Sequence, residues 1–414
     1  MDVNVKIKHT FIDKAVSLIF GFLIFLTLRP YFIWESKFIY IAVFILAITL
    51  SLAWLFLKAR ICKKSLVFIS IFLTSFFLGQ FTVDGLHPWI SSAVVLISFF
   101  LLFDEKIYKS ALKFFINIYV LASIPSILIF FLLAAGVTLE WEYLEPYSKA
   151  KESSGVYYRE YFGMVVLSTQ IFTFGTGEIF RLSSVFPEPG VVGTVSALLL
   201  TVMKFDIRNW KGVILLISGI LSFSLAFYIL ACIYLILKKP LYLFILVGLL
   251  SALVFFLPSD IKDNRIIKHY VMERGEALLL NFDEVDNRVD DCFERHYDEF
   301  LSSTDILIGN GYKASISLEC NVSSYKTVIY DYGIIGFLII VLFYIIILIS
   351  KVRTISDLIK CTPFLIVFFA TSYQRPAFNT FWFFAIFIGG IILLINSKSN
   401  ISDGNNKNLN KAIF

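Results

Sequence analysis

The chain has 414 residues, 58% of them hydrophobic and only 16% charged, with a mean hydropathy of +0.82. Apolar runs of about twenty residues recur along it, which excludes an ordinary soluble domain and points to an all-α polytopic membrane protein. The net charge of +5 is small and dispersed, so nucleic-acid binding is excluded, and the placement of Lys and Arg marks cytoplasmic loops instead.

The N-terminus, with Lys6, Lys8 and Lys14, reads as cytoplasmic. Span 1 is expected from Ala15 to Ile33, and it is followed by no small-residue cleavage site, so it reads as a retained span. Span 2 covers Phe38 to Leu57 and ends in Lys58, Arg60, Lys63 and Lys64. Span 3, Leu66 to Val83, emerges at Asp84-Gly85, and span 4 returns from Trp89 to Phe103. Lys106, Lys109 and Lys113 precede span 5, Phe114 to Val137, which exits into an aromatic-rich first outer loop, 139–188. Each basic loop falls after an even number of crossings.

Span 6 begins at Pro189 and ends at Lys204, near Arg208 and Lys211. The run Gly212 to Leu237 carries lysine at both ends, which asks for two short helices turning near Ser222-Phe223-Ser224. One long tilted helix is the alternative and would reverse the sidedness of the chain beyond Leu237. Span 9, Leu241 to Leu257, leads to a large polar loop, 258–325, with fourteen acidic residues against seven basic ones. That acidity agrees with an extracytoplasmic location. Arg265 to Leu280 and Val289 to Phe300 read as amphipathic helices within it. Span 10 runs from Val328 to Ser350, and spans 11 (Thr362 to Ala370) and 12 (Phe381 to Ile395) flank SYQRPAFN. The total is about twelve transmembrane helices in one integral-membrane unit, 1–414. Both termini are inside, and the tail, 397–414, is polar and cytoplasmic. Cys292 and Cys320 share the large loop, where a disulfide and two free thiols both stand open.

The stretch Arg181 to Gly190, RLSSVFPEPG, joins a polar segment to a helix start at Pro189. Arg181, Ser184, Phe186, Glu188, Pro189 and Gly190 spell R-x-x-S-x-F-x-E-P-G, which resembles a motif of bacterial O-antigen and capsule repeat-unit polymerases of the Wzy type. A second patch resembles the large-loop pattern of the same superfamily. It comprises Asn287-Arg288, then Ile306-Leu307-Ile308-Gly309-Asn310-Gly311-Tyr312, then Tyr330-Asp331-Tyr332-Gly333-Ile334-Ile335-Gly336. The resemblance implies a GT-C-like glycosyltransferase at the outer face of the bacterial inner membrane. It implies undecaprenyl-pyrophosphate-linked glycans as substrates, inversion at the anomeric centre, and no metal or cofactor. A chain-length regulator is a further partner that stays open. Related ligases carry a histidine near the end of the large loop, where this chain reads CNVSSYKTVIYDYG. Polymerase is therefore favoured over ligase, and a flippase-type transporter ranks below both because charge within spans 1 to 5 is scarce.

Transfer from a lipid pyrophosphate calls for cations beside the departing diphosphate. Arginine suits this because its fork binds phosphate bidentately and stays charged. Arg181, Arg288 and Arg375 are the candidates. The acceptor hydroxyl must lose a proton. Glu188 is the first candidate base, with a purely structural role as its equal alternative, and Asp331 comes second. Ser184 and Tyr312 are placed with Arg375 and Asp331 as substrate-binding residues. The acidic run from Asp283 to Glu294 lacks EF-hand spacing and reads as a solvated face. Gly309-x-Gly311 reads as a tight turn. Tyr143, Tyr147, Tyr157, Tyr158 and Tyr161 stand as sugar-stacking candidates, although interfacial belts explain most such residues.

Overall fold

The computed structural model describes residues 3–58, 63–78, 81–82, 85–86, 92–146, 155–174, 177–242, 244, 248, 289–318, 320, 322 and 324–396. The chain is mostly helical. Helices α1 (Val3–Leu26), α2 (Phe38–Lys58), α3 (Lys63–Leu78), α4 (Ser92–Leu101) and α5 (Glu105–Ala134) form the first half. Helices α6 (Pro189–Val202), α7 (Trp210–Leu221) and α8 (Leu225–Lys238) come after the segment 139–188. Then come α9 (Asp291–Leu301), α10 (Ala314–Ser317), α11 (Lys326–Lys351), α12 (Ile355–Gln374) and α13 (Phe381–Ile395). Among the described residues α2, α5, α11 and α12 are long and apolar enough to cross a membrane, which makes this a helical membrane protein.

Helix α13 is apolar on every side and buried nearly throughout, as expected of a helix at the centre of a bundle. It packs against α4, α5, α6 and α12, while α1 lies along α5 and α2. The run Gly212 to Leu237 is two helices, α7 and α8, turning at Ser222–Ser224, and both pack on α6. One end of the bundle gathers the cations. There Lys351 pairs with Glu105 at 3.3 Å, Lys239 Nζ donates to the Phe205 carbonyl at 2.9 Å, and Lys211 Nζ donates to Asn117 at 2.6 Å.

The opposite end holds β-structure that the apolar periodicity of the chain does not predict. Strands β3 (Glu142–Leu144), β4 (Tyr158–Tyr161) and β5 (Met164–Leu167) form an antiparallel meander. Strands β6 (Ile171–Phe174) and β7 (Gly177–Phe180) form a hairpin, and β1 (Phe81–Thr82) pairs with β2 (Gly85–Leu86). The described part of the segment 139–188 is thus a small β-layer seated on α5. Burial supplies the reason, since β5 is buried at all four positions between β4 and the Ser184 segment.

In the second polar segment α9 presents Phe293, Tyr297 and Phe300 inward at helical spacing, over Tyr330. Its N-cap Asp290 accepts from the Phe293 amide at 2.9 Å. Cys292 and Cys320 are joined by a disulfide. The expected helix Arg265 to Leu280 and the candidate Arg288 lie outside the described residues, as do Tyr147 and the tail 397–414.

Candidate functional site

Residues Arg181 to Glu188 are pinned by hydrogen bonds from four directions. The Leu182 amide donates to the Leu221 carbonyl, Val165 to Ser184, and Tyr31 to Val185, at 2.9, 2.9 and 2.8 Å. The Tyr158 hydroxyl, fully buried in β4, donates to the Pro187 carbonyl at 2.7 Å. Tyr158 therefore acts as a strut of this segment and not as an exposed stacking platform. Its contribution was hidden in sequence, because four-residue strands carry little pattern.

The segment is recessed. The Ser184 hydroxyl donates to the Ala122 carbonyl at 3.3 Å, whereas the β6–β7 hairpin touches the end of α5 through Gly177 and Ala134. Twelve residues separate these levels, roughly 18 Å along a helix. The helices below the segment agree: α6 and α8 have 14 residues each and α7 has 12. At 1.5 Å per residue they span roughly 20 Å, well short of a ~30 Å hydrocarbon core.

Glu188 is the N-cap residue of α6 with extended backbone, and Pro189 takes the first helical turn. Its carboxylate makes no cap bond but accepts from Arg375 Nη2 at 2.8 Å, with side chains 37% and 24% exposed. Gly190 explains how the guanidinium reaches it, since a Cβ there would stand 2.5 Å from Arg375 Nη2. The three letters E-P-G thus have three separate reasons: a charge partner, a helix start, and space for an arginine from the end of α12. Arg181 donates through Nε to the Ser222 carbonyl at 3.2 Å, bracing the α7–α8 turn.

Ser184 is fully buried at φ 53°, and it accepts from Ser126 at 3.0 Å. The structure gives it a packing role beneath the site. Its neighbour Ser183 is equally buried, and its hydroxyl has no hydrogen-bond partner among the described residues.

The second patch interlocks with itself. Helix α11 is broken at Gly333 (φ 67°, ψ 177°), and the turn Gly309-Asn310-Gly311 lies against the break, with φ 88° and 102° at its glycines. The Asn310 and Gly311 amides donate to the carbonyls of Tyr330 and Asp331, both at 2.9 Å. These bonds replace helical ones lost at the break. Asp331 lies two residues before the break. Its carboxylate accepts from the Ser315 amide at 2.7 Å. Tyr312 packs near Tyr332, with ring centroids 6.5 Å apart.

The SYQRPAFN turn is where the parts meet. Arg375 reaches Glu188, the Tyr344 hydroxyl donates to the Phe378 carbonyl at 2.7 Å, and Tyr373 stacks on Tyr325 at 5.4 Å. Glu188 and Arg375 are therefore brought together, Asp331 and Tyr312 belong to the second patch around the Gly333 break, and Arg181 and Ser184 tie the segment to Ser222 and to α5. No protein-family model, curated protein or solved structure compared with the chain matches it.

Proposed function

We propose that this chain polymerises lipid-diphosphate-linked oligosaccharide repeat units, as a glycosyltransferase of the O-antigen and capsule polymerase type. The observation that carries the reading is the Glu188–Arg375 pair, half-exposed in a recess at the start of a short buried helix. The guanidinium keeps the carboxylate ionised, and so open to a proton from a hydroxyl, and it presents positive charge to an anionic headgroup.

In the proposed step Glu188 takes the proton of an acceptor sugar hydroxyl. The hydroxyl oxygen forms a bond to the anomeric carbon of the donor glycan on the face opposite its phosphate. The carbon–oxygen bond to the diphosphate breaks, and the electron pair leaves with the carrier lipid. Arg375 orients the carboxylate, and cations near the diphosphate stabilise its growing charge. The lysine-rich end faces the cytoplasm by the charge rule, so the recess opens on the outer leaflet. About twelve crossings with both termini inside complete this topology, in a bacterial inner membrane.

The test is the glycan ladder of a strain lacking the gene, complemented with Glu188→Gln, Arg375→Ala or the unaltered chain. Long-chain polysaccharide is expected only from the unaltered chain. Normal ladders from both variants sink the reading of the site.

A further inference from the structure

A cavity of about 510 Å³ opens between α1 and α5 at the end of the bundle that gathers the cations. Lys14 and Leu18 line it from α1, and Lys106, Lys113 and Phe114 from α5. At its edge the two helices touch, since a Cβ on Gly21 would stand 2.7 Å from the Ala111 carbonyl oxygen and 2.8 Å from the Phe114 ring. Asp13, the carboxylate on the lining, accepts from Trp54 Nε1 at 2.7 Å. Close by, Glu105 pairs with Lys351 at 3.3 Å, and Asp104 is the N-cap residue of α5. The lining thus carries three ammonium groups against one carboxylate. A fourth cation adjoins it, because Lys211 Nζ donates to Asn117 on the same wall at 2.6 Å.

The charge rule explains why lysines gather at this end. It does not explain their alignment. Lys106, Ser110, Lys113 and Asn117 stand at i, i+4, i+7 and i+11, on one face of α5. The same face runs on through Leu121, Leu128 and Phe131, all of them exposed, and α1 exposes Leu18 beside it. One helix face therefore passes from ammonium groups and a hydroxyl to bare hydrocarbon. Lys113 and Leu128 stand roughly 22 Å apart at 1.5 Å per residue, about the depth of one leaflet with its headgroups.

We propose that this groove binds an anionic phospholipid of the leaflet at the lysine-rich end. Lys14, Lys106 and Lys113 are the charge partners of its phosphate, Ser110 adds a hydroxyl, and its acyl chains run along Phe114, Leu121 and Leu128. Basic pockets between spanning helices on the cytoplasmic side suit such headgroups. A soluble phosphate uses the lysines alone, whereas a phospholipid uses the whole face. Neither Glu188 nor Arg375 lines the groove, and the proposal holds whichever chemistry that pair performs.

The test titrates the full chain, in a neutral detergent, with phosphatidylglycerol or with phosphatidylcholine of the same acyl chains. Native mass spectrometry reads binding, and thermal midpoints serve as the folding control. Phosphatidylglycerol is expected to bind roughly tenfold or more tighter than phosphatidylcholine. Lys14→Gln/Lys106→Gln/Lys113→Gln is expected to lose that preference, and Lys14→Arg/Lys106→Arg/Lys113→Arg to keep it. Lys204→Gln/Lys238→Gln removes two cations that line a different cavity at the same end, and is expected to bind phosphatidylglycerol as the unaltered chain does. Free glycerol 1-phosphate at the same concentration is expected to leave the bound lipid in place. Equal affinity of the unaltered chain for the two lipids overturns the proposal. So does an equal loss in the two Gln variants, which assigns the effect to the summed charge of this end. Displacement by glycerol 1-phosphate overturns it too, in favour of a soluble-anion site. Should the triple Gln variant not fold, Lys106→Gln and Lys113→Gln decide singly: each is expected to lose roughly fivefold in affinity for phosphatidylglycerol, and no loss in either overturns the proposal.

Discussion

Arg375 Nη2 lies 2.8 Å from Glu188 Oε2, across 187 positions of sequence, and the guanidinium passes over Gly190 with no room for a Cβ. The closeness makes Gly190 a sensitive probe, because Gly190→Ala removes no functional group. The methyl must push Arg375 aside and stretch a charge-assisted hydrogen bond worth about 1.5–3 kcal/mol. We expect Gly190→Ala and Arg375→Lys each to lower polymer yield by roughly tenfold or more, the rate equivalent of ~1.4 kcal/mol. Quantified ladders at matched protein level check this, and full-length ladders from Gly190→Ala rule out the geometry.

The adjacent serines of the same segment should behave oppositely. Ser184 both donates and accepts, so Ser184→Ala is expected to cost about 1 kcal/mol and lower the melting temperature by roughly 2 °C. Ser183 buries a hydroxyl with no partner among the described residues. Removing it relieves a desolvation cost, so Ser183→Ala is expected to leave stability unchanged or raise it. Thermal unfolding in detergent separates the two, and equal losses would show that Ser183 is bonded as Ser184 is.

Much of the helical frame was readable from runs of apolar residues and lysine placement. The α7–α8 turn at Ser222–Ser224 is the clearest case, since two lysine-bearing ends demanded it. The β-layer was not readable, because strands of four residues buried on both faces, as β5 is, show no alternation. Within the site, Glu188 and Pro189 announced themselves through local chemistry. The approach of Arg375 to Glu188 did not, because 187 positions of sequence separate the two.

The disulfide between Cys292 and Cys320 fixes the start of α9 against the approach to α11, closing a loop of 28 residues in separation. Chain-entropy reasoning assigns such a link about 3 kcal/mol, so Cys292→Ser and Cys320→Ser are each expected to lower the melting temperature by several degrees. His296, one turn along α9, lies close enough to both sulfurs for the three side chains to hold a metal ion. A metal needs the thiolates that the disulfide consumes. Oxidised protein is therefore expected to ignore added zinc, and reduced protein to bind it and regain part of the lost stability. Alkylation mass shifts with and without reductant report the thiol state in the same samples. Free thiols in unreduced protein taken from the membrane would replace the disulfide by the metal site and turn the large loop toward a reducing compartment, against the proposed topology.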